Sequence, residues 1–409
     1  MESGKKKYGF SYFAESERYA PQTEMLQVQR KPQKLRIGIP KEGRLQENRV
    51  ALVPSSVGTL TGAGHEVVIE RGAGVKANFS DRDYAEAGAI LMDDKAEVFK
   101  SQVLIKVEPP SNEEAELMQP SQLLISPLSI PIINKEYIDT LLKKRVVAVA
   151  MEYLMDSDGT FPLVRIMSEM AGISAILTAA ELLSNSSGGD GVLLGGISGV
   201  PPAKVVILGA GVVGEFATRT ALGLGATVCI FDNNIYKLMR IQQRVGRQLF
   251  TSSLNPTYLE QEILNANVVI GAIHSETGSS PMVVSEDMVM KMSNGSVIID
   301  VSIDQGGCIE TSEMTTHSSP TFRKHGVIHY CVPNIASRVA RTASLAVSNI
   351  LTPILLNAGS TENIESLFFT NYGLRHGVYT FKGCLTNRYL AERFNLKFTD
   401  PELLVTSNL

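Results

Sequence analysis

The 409-residue chain has no uninterrupted apolar run approaching the roughly 20 residues that cross a bilayer, so no membrane span is expected. Its four cysteines, Cys229, Cys308, Cys331 and Cys384, lie far apart without a C-x-x-C pair, which leaves neither a disulfide framework nor a thiolate zinc cage to be read. Reduced thiols and a cytoplasmic location are the default that follows. The six histidines (His65, His274, His317, His325, His329 and His376) show no H-x-x-x-H or comparable spacing, so no metal site is expected. No short-period internal repeat is present.

Apolar residues make up 44% and charged residues 20%, close to ordinary globular usage, and the length suits two or three domains. The net charge of -4 hides an asymmetry, because residues 1–36 hold eight Lys or Arg against four Asp or Glu. The acidic main body is no nucleic-acid binder by charge. Lys5, Lys6 and Lys7, followed by Tyr8, Phe10, Tyr12 and Phe13, lack the apolar segment and cleavage site of a secretory signal. Residues 1–34 therefore read as an N-terminal extension, a solvated arm or a strap on a neighbouring subunit.

From Leu35 onward short β-like runs alternate with helical stretches, the rhythm of a doubly wound α/β fold with a parallel sheet. Strands are expected over 35–40, 65–70, 103–110, 122–129 and 145–153, with helices over 55–64 and 81–89. A segment from Leu163 to Ser184 is apolar on nearly every face, which predicts a helix buried on all sides, a spine between two domains. The pattern then restarts, with strands expected over 203–211, 226–232, 267–273, 296–302 and 327–333 and a helix around 285–293. A second apolar spine over 341–356 contains Pro353, expected to bend it. The organisation that follows is a discontinuous domain of residues 35–162 and 341–409 around a central domain of residues 163–340.

The strongest local signal is VVILGAGVVG, where Gly209, Gly211 and Gly214 form G-x-G-x-x-G between a strand and a helix. Gly209 permits the turn, Gly211 lets backbone approach a pyrophosphate, and Gly214 lets helix press on strand. The helix N-terminus then favours an anion. Asp232 ends the next strand, where a carboxylate accepts ribose hydroxyls and repels a 2′-phosphate, so NAD is expected rather than NADP. VSIDQGGC places Asp304 near the carboxyl ends of the sheet, and YCVPN places Asn334 there too. In the first domain PKEGRLQENRVALVP sets Lys41, Glu42, Glu47 and Arg49 beyond the first strand, and Arg49 is the candidate for bidentate capture of a substrate carboxylate.

With these residues in place the chain resembles the alanine dehydrogenase / pyridine nucleotide transhydrogenase family, and its alanine dehydrogenases most closely. IGIPKE…ENRVALVP, SEMAG, GVPPAKVVILGAGVVG, DQGGC and HYCVPN are each similar to family blocks and stand in the same order. The resemblance implies two Rossmann-like domains joined by two long helices, and reversible oxidation of L-alanine by NAD and water to pyruvate, NADH and ammonium. It implies a small amino acid or 2-oxo acid as partner and a homo-oligomer, hexamer or dimer. Residue by residue, it places Arg49 on the substrate carboxylate, Ser168 near the cofactor phosphates, Asp232 on the ribose, Asp304 in the active site and Asn334 beside nicotinamide and substrate.

Two positions depart from the family pattern. Glu108 in LIKVEPP stands where the family has a substrate-contacting lysine, and Ser129 in ISPLSIP stands where it has a catalytic histidine. A carboxylate 4 Å from a substrate carboxylate costs roughly 1–4 kcal/mol for effective dielectric constants between about 80 and 20. Lys106, two residues back on the expected strand, would share its face and offer a partial replacement as a catalytic group. Three functions are therefore open: an alanine dehydrogenase-like enzyme, a relative for another amino acid or a transhydrogenase-type subunit, and a catalytically silent NAD(H)-binding protein.

Overall fold

The computed structural model describes residues 34–43, 46–130, 132–246, 248–274, 280–359 and 372–406. The expected extension, Lys34 apart, lies outside the described residues. Valine- and isoleucine-rich runs form two sheets whose central strands are buried along nearly their whole length, as parallel strands covered on both faces must be. The first contains β1 (Arg36–Ile39), β2 (Glu66–Glu70), β3 (Ile90–Met92), β4 (Val103–Ile105), β5 (Leu123–Ser126) and β6 (Val147–Ala150). The second contains β7 (Lys204–Leu208), β8 (Thr227–Phe231), β9 (Phe250–Ser252), β10 (Val268–Gly271), β11 (Val297–Asp300), β12 (Thr321–Lys324) and β13 (Val327–Tyr330). Late in the chain β14 (Val378–Phe381) and β15 (Cys384–Leu385) return to the first sheet, β14 pairing antiparallel with β6.

The strand orders are β15-β14-β6-β5-β4-β1-β2-β3 and β12-β13-β11-β10-β7-β8-β9. Each is the doubly wound order, reversing its winding direction at one place, between β1 and β4 and between β7 and β10. Loops leaving such neighbouring strands diverge and open a crevice at their carboxyl ends. The two expected Rossmann-like sheets are therefore both present.

Several expected strands are shorter than the apolar text suggested. The run from Val103 stops at Ile105, because the Val107 N–H leaves the ladder to donate to the Glu42 carboxylate at 2.7 Å. The run from Gln122 stops at Ser126, where Pro127 cannot donate to a ladder.

The helices that position the site are α1 (Pro54–Gly62), α2 (Asn112–Leu117), α3 (Pro162–Leu182), α4 (Val212–Gly223) and α5 (Ala340–Gly359). The spine α3 runs between β6 and β7, and α5, with Pro353 inside it, runs between β13 and β14. Each is long and apolar enough by length and composition to cross a membrane, yet each packs one face into the protein. Burial on all sides does not hold for α3: Ile173 and Leu177, one turn apart, are 38% and 53% exposed. The side of α3 that meets α4 carries small residues, Ala171, Gly172, Ala175 and Ala179, which let the two helices approach closely, while Ile176 is buried and Ile173 and Leu177 face outward.

Gly172 marks the closest approach, since a Cβ there would lie 2.4 Å from the Val213 carbonyl oxygen and 2.8 Å from the Ala217 nitrogen. Backbone cannot yield as a flexible side chain does. Gly172→Ala is expected to lower the free energy of unfolding by about 1–3 kcal/mol. Gly223→Ala, which meets nothing within 4 Å, is expected to be neutral or slightly stabilising. Urea denaturation of both variants decides it, and equal midpoints would contradict the close packing.

Candidate functional site

At the switch point of the second sheet the glycine loop follows β7. Gly209 has φ 107°, and a Cβ on it would meet the Ala272 carbonyl oxygen at 2.3 Å, so the loops after β7 and β10 require glycine there. A Cβ on Gly214 would meet the Gly209 carbonyl oxygen at 1.9 Å, the helix-on-strand contact the motif serves. Gly211 differs from both, because nothing lies within 4 Å of its Cβ position. Packing does not demand that glycine; the open space it faces fits a ligand seated on backbone. Gly211 is also the N-cap of α4 and offers no side-chain cap, which leaves first-turn N–H groups available to an anion.

Asp232 braces this cradle. Its Oδ2 accepts from the Ala210 N–H at 2.7 Å and its Oδ1 from the Asn234 N–H at 2.7 Å, while Asn234, not Asp232, caps the following helix. Each oxygen keeps acceptor capacity for a hydroxyl. Ser168 lies on α3 one turn before Gly172, on the face turned toward the start of α4. These residues fit a dinucleotide.

The loops after β11 and β13 meet the loop after β1 across the two domains. The Asn48 N–H donates to Ser337 Oγ at 2.9 Å, and Gln46 Nε2 donates to Ser318 Oγ at 2.7 Å. Between these contacts Arg49 lies against Glu47, Nε to Oε1 at 2.8 Å and Nη2 to Oε2 at 2.7 Å. One edge of the guanidinium is thus already occupied by a carboxylate of the same loop. Among the described residues Nη1 meets the Met167 sulfur, at 3.2 Å, so the edge open to a ligand is the Nη1/Nη2 end, not the whole fork. Burial alone would raise the Glu47 carboxyl, but Arg49 and the hydrogen bonds hold it below the usual range.

Asn334 takes the left-handed region, φ 57°. Its Nδ2 donates to Glu47 Oε2 at 2.6 Å, and its backbone lies beside the side chains of Asp304 and His317. The Asn334 amide expected beside substrate is therefore committed to Glu47 in this conformation. Asp304 is open at the cleft surface but has protein closely around it, and that desolvation pushes its carboxyl up to about 6, against the pull of the Asn334 backbone and Arg49. The structure brings Arg49, Asp304 and Asn334 together and adds Glu47, Ser337 and His317. Their signal in sequence was weak: a Glu two residues before an Arg, and single polar residues in distant loops.

Lys106 requires a correction. Expected on an open strand face, it is fully buried, its Nζ 2.8 Å from Glu42 Oε2 and 3.5 Å from Glu114 Oε2 on α2. The strand ends before it, so the alternation that would have aimed it at a substrate does not apply. Glu108 is also buried and accepts from the Gly43 N–H at 2.8 Å. Beside it lies a cavity of about 570 Å³ bounded by Glu108, Glu113, Glu114, Lys95 and Asn134. Ser129 has φ 44°, and its N–H and that of Leu128 donate to Glu152, a residue the sequence reading passed over.

A scan of family models matches "Alanine dehydrogenase/PNT, N-terminal domain" over residues 38–171 and "Alanine dehydrogenase/PNT, C-terminal domain" over residues 175–388. The chain belongs to the alanine dehydrogenase/PNT family. Among its relatives, an alanine dehydrogenase of Staphylococcus epidermidis is 39% identical over 372 residues, 90% of this chain and 99% of that protein. Alanine dehydrogenase 2 of Staphylococcus aureus is 40% identical, again over 90% of this chain and 99% of the relative. A solved L-alanine dehydrogenase superposes with a TM-score of 0.83 at 37% identity, covering 88% of this chain and 99% of that one. A transhydrogenase from Sinorhizobium meliloti superposes at 0.74 with 25% identity, covering 87% of this chain and 99% of the other.

Burial pushes the Glu42 carboxyl up to about 8 despite Lys106, as expected where three carboxylates share one ammonium. The folded value lies above the unfolded 4.5. The folded protein therefore holds a proton that the unfolded chain has released between about pH 4.5 and 8, and stability falls as pH rises through that window. Glu42→Gln, neutral at every pH, is expected to flatten the decline. Thermal melts from pH 5 to 8 test this; parallel profiles for the two proteins would remove Glu42 as the cause.

Proposed function

We propose that the protein is an NAD-dependent oxidoreductase acting on the CH–NH2 group of a small amino acid, alanine dehydrogenase-like in its chemistry. The observation that carries this reading is the meeting of two different binding surfaces at the carboxyl ends of the two sheets. One is an open glycine cradle at Gly211, and the other a guanidinium end at Arg49. The relatives named alanine dehydrogenase support the reaction class.

Gly209, Gly211, Gly214, Asp232 and Ser168 would hold the dinucleotide, which when bound supplies a hydride acceptor. Arg49 holds the substrate carboxylate by its Nη1 end. Asp304, with a carboxyl near 6, is ionised at neutral pH and can take a proton from water or from the amine, then return it. The Asn334 backbone beside Asp304 favours the ionised form of that carboxyl. Docking of the two domains excludes bulk water from the reacting atoms. A homo-oligomer, which would cover the exposed Ile173 and Leu177 on α3, is part of the same reading.

The acid–base assignment sets the pH profile. With ionised Asp304 as the base, kcat/KM is expected to rise with pH through about 6 and then level. Asp304→Asn is expected to lose that limb and about 10²–10⁴ of the rate. An unchanged profile in the variant would place the base elsewhere. Cofactor choice is tested at Asp232: Asp232→Ala is expected to weaken NAD by about tenfold or more and to narrow the preference over NADP. Dissociation constants of both cofactors from fluorescence titration give the answer, and an unaltered ratio would remove Asp232 from the ribose.

A second reading is favoured by the cavity beside Glu108. A carboxylate there repels a plain carboxylate ligand but attracts a cationic side chain, so an amino acid carrying a second positive group fits that cavity better than alanine does. NADH formation from alanine and from lysine-like amino acids distinguishes the two readings. NADH binding with no turnover of either would leave a silent NAD(H)-binding protein.

A further inference from the structure

The Glu47 carboxylate is 2% exposed and collects five donors. Oε1 accepts from the Arg49 N–H at 2.9 Å, from Arg49 Nε at 2.8 Å and from Ser337 Oγ at 3.2 Å. Oε2 accepts from Arg49 Nη2 at 2.7 Å and from Asn334 Nδ2 at 2.6 Å. A carboxylate offers about four lone-pair sites, so Glu47 is saturated and has nothing left for a substrate amine. Three of the donors lie on the loop after β1 and two on the loop after β13, on different sheets.

This arrangement fixes one edge of the Arg49 guanidinium and leaves the other against a thioether, a weak acceptor that an anionic ligand displaces readily. We propose that Glu47 is a positioning residue that makes the orientation of Arg49 depend on domain docking. When Asn334 and Ser337 are in place, both Glu47 oxygens are pinned and Nη1 of Arg49 is presented to the cleft. When the domains part, Glu47 loses the two donors from the nucleotide domain and Arg49 loses its fixed support. Carboxylate capture is thereby tied to closure, so the substrate is held tightly only in the conformation that also brings Asp304 alongside.

The inference rests on the reading of Arg49 as the carboxylate anchor. In Glu47→Gln the shape is kept, but one oxygen becomes a donor facing donors. The expected result is a rise of about 10- to 100-fold in KM for the amino acid, with NADH affinity within about threefold of the parent. Hydrogen exchange is expected to quicken both in residues 46–50 and in residues 334–338. Glu47→Asp is expected to recover part of the KM, which a purely structural loss would not produce. If Glu47→Gln does not fold, Ser337→Ala, which removes one donor to Glu47 and with it the acceptor of the Asn48 N–H, both from the nucleotide side, is read in the same way with a smaller rise. A KM within about twofold of the parent, or equal losses of substrate and NADH binding, overturns the proposal. Should the parent protein turn over no amino acid, the proposed activity fails, and exchange in Glu47→Gln still decides this point. Quickening in both segments supports the coupling, and quickening in residues 46–50 alone overturns it.

Discussion

The cleft depends on one buried ion pair, Glu47 with Arg49. Taking two such charges out of water costs several kcal/mol per ion, and their attraction repays that only when the remaining hydrogen-bonding capacity is also satisfied. The loop after β1 cannot do this alone, since it supplies only three donors, all from Arg49. Asn334 and Ser337 supply the rest from the other sheet. Burial of the pair and apposition of the two domains are therefore one event, and the geometry of the candidate substrate anchor is set by the fold as a whole rather than by its own loop.

The two switch points are built on the same topology but closed by different chemistry. After β7 the chain uses glycine, so that backbone lies bare at Gly211 and can meet an anion directly. After β1 and β4 it uses carboxylates caught by the opposite backbone: Glu42 by the Val107 N–H, Glu108 by the Gly43 N–H. These crossed bonds knit the two loops together and bury Lys106 beneath them. One crevice is left receptive to phosphate, while the other is rigid and acidic, with Arg49 at its edge.

Which parts of this were legible in the sequence follows from which parts are local. Strands β1, β2, β7, β8, β10, β11 and β13 were readable because parallel strands buried on both faces are bare apolar runs, and the glycine loop because its three glycines answer local steric demands. β14 and β15 were hidden, being short and joined to the first sheet only through β6, more than two hundred residues earlier. The partners of Glu47 lie 287 and 290 positions away, a separation no periodicity reveals. Lys106 was misjudged because period-2 reasoning presumes that the strand continues, and the Val107 N–H leaves the ladder for Glu42. The exposed side of α3 was misread for a related reason: apolar composition does not say which face small residues will choose for close packing.

Ser129 and Asp304 together show how the proposed chemistry is divided. A serine hydroxyl is no base near neutral pH, so whatever loop shape Ser129 keeps, it cannot shuttle the protons of an amine oxidation. That shape is nonetheless specified, because Glu152 takes the N–H groups of Leu128 and Ser129 and holds the latter in the left-handed region. Asp304, on the other domain, has a carboxyl near 6 and is the cleft carboxylate whose charge changes just below neutrality. In the proposed reading the first domain is left with anchoring, through Arg49 and the acidic wall at Glu108. The domain that carries the glycine cradle also carries Asp304, the proposed proton-handling group, on loops separated by one strand, β10, of the same sheet. Hydride and proton would then be handled from a single body, and the other domain would need only to deliver the substrate to it in one orientation.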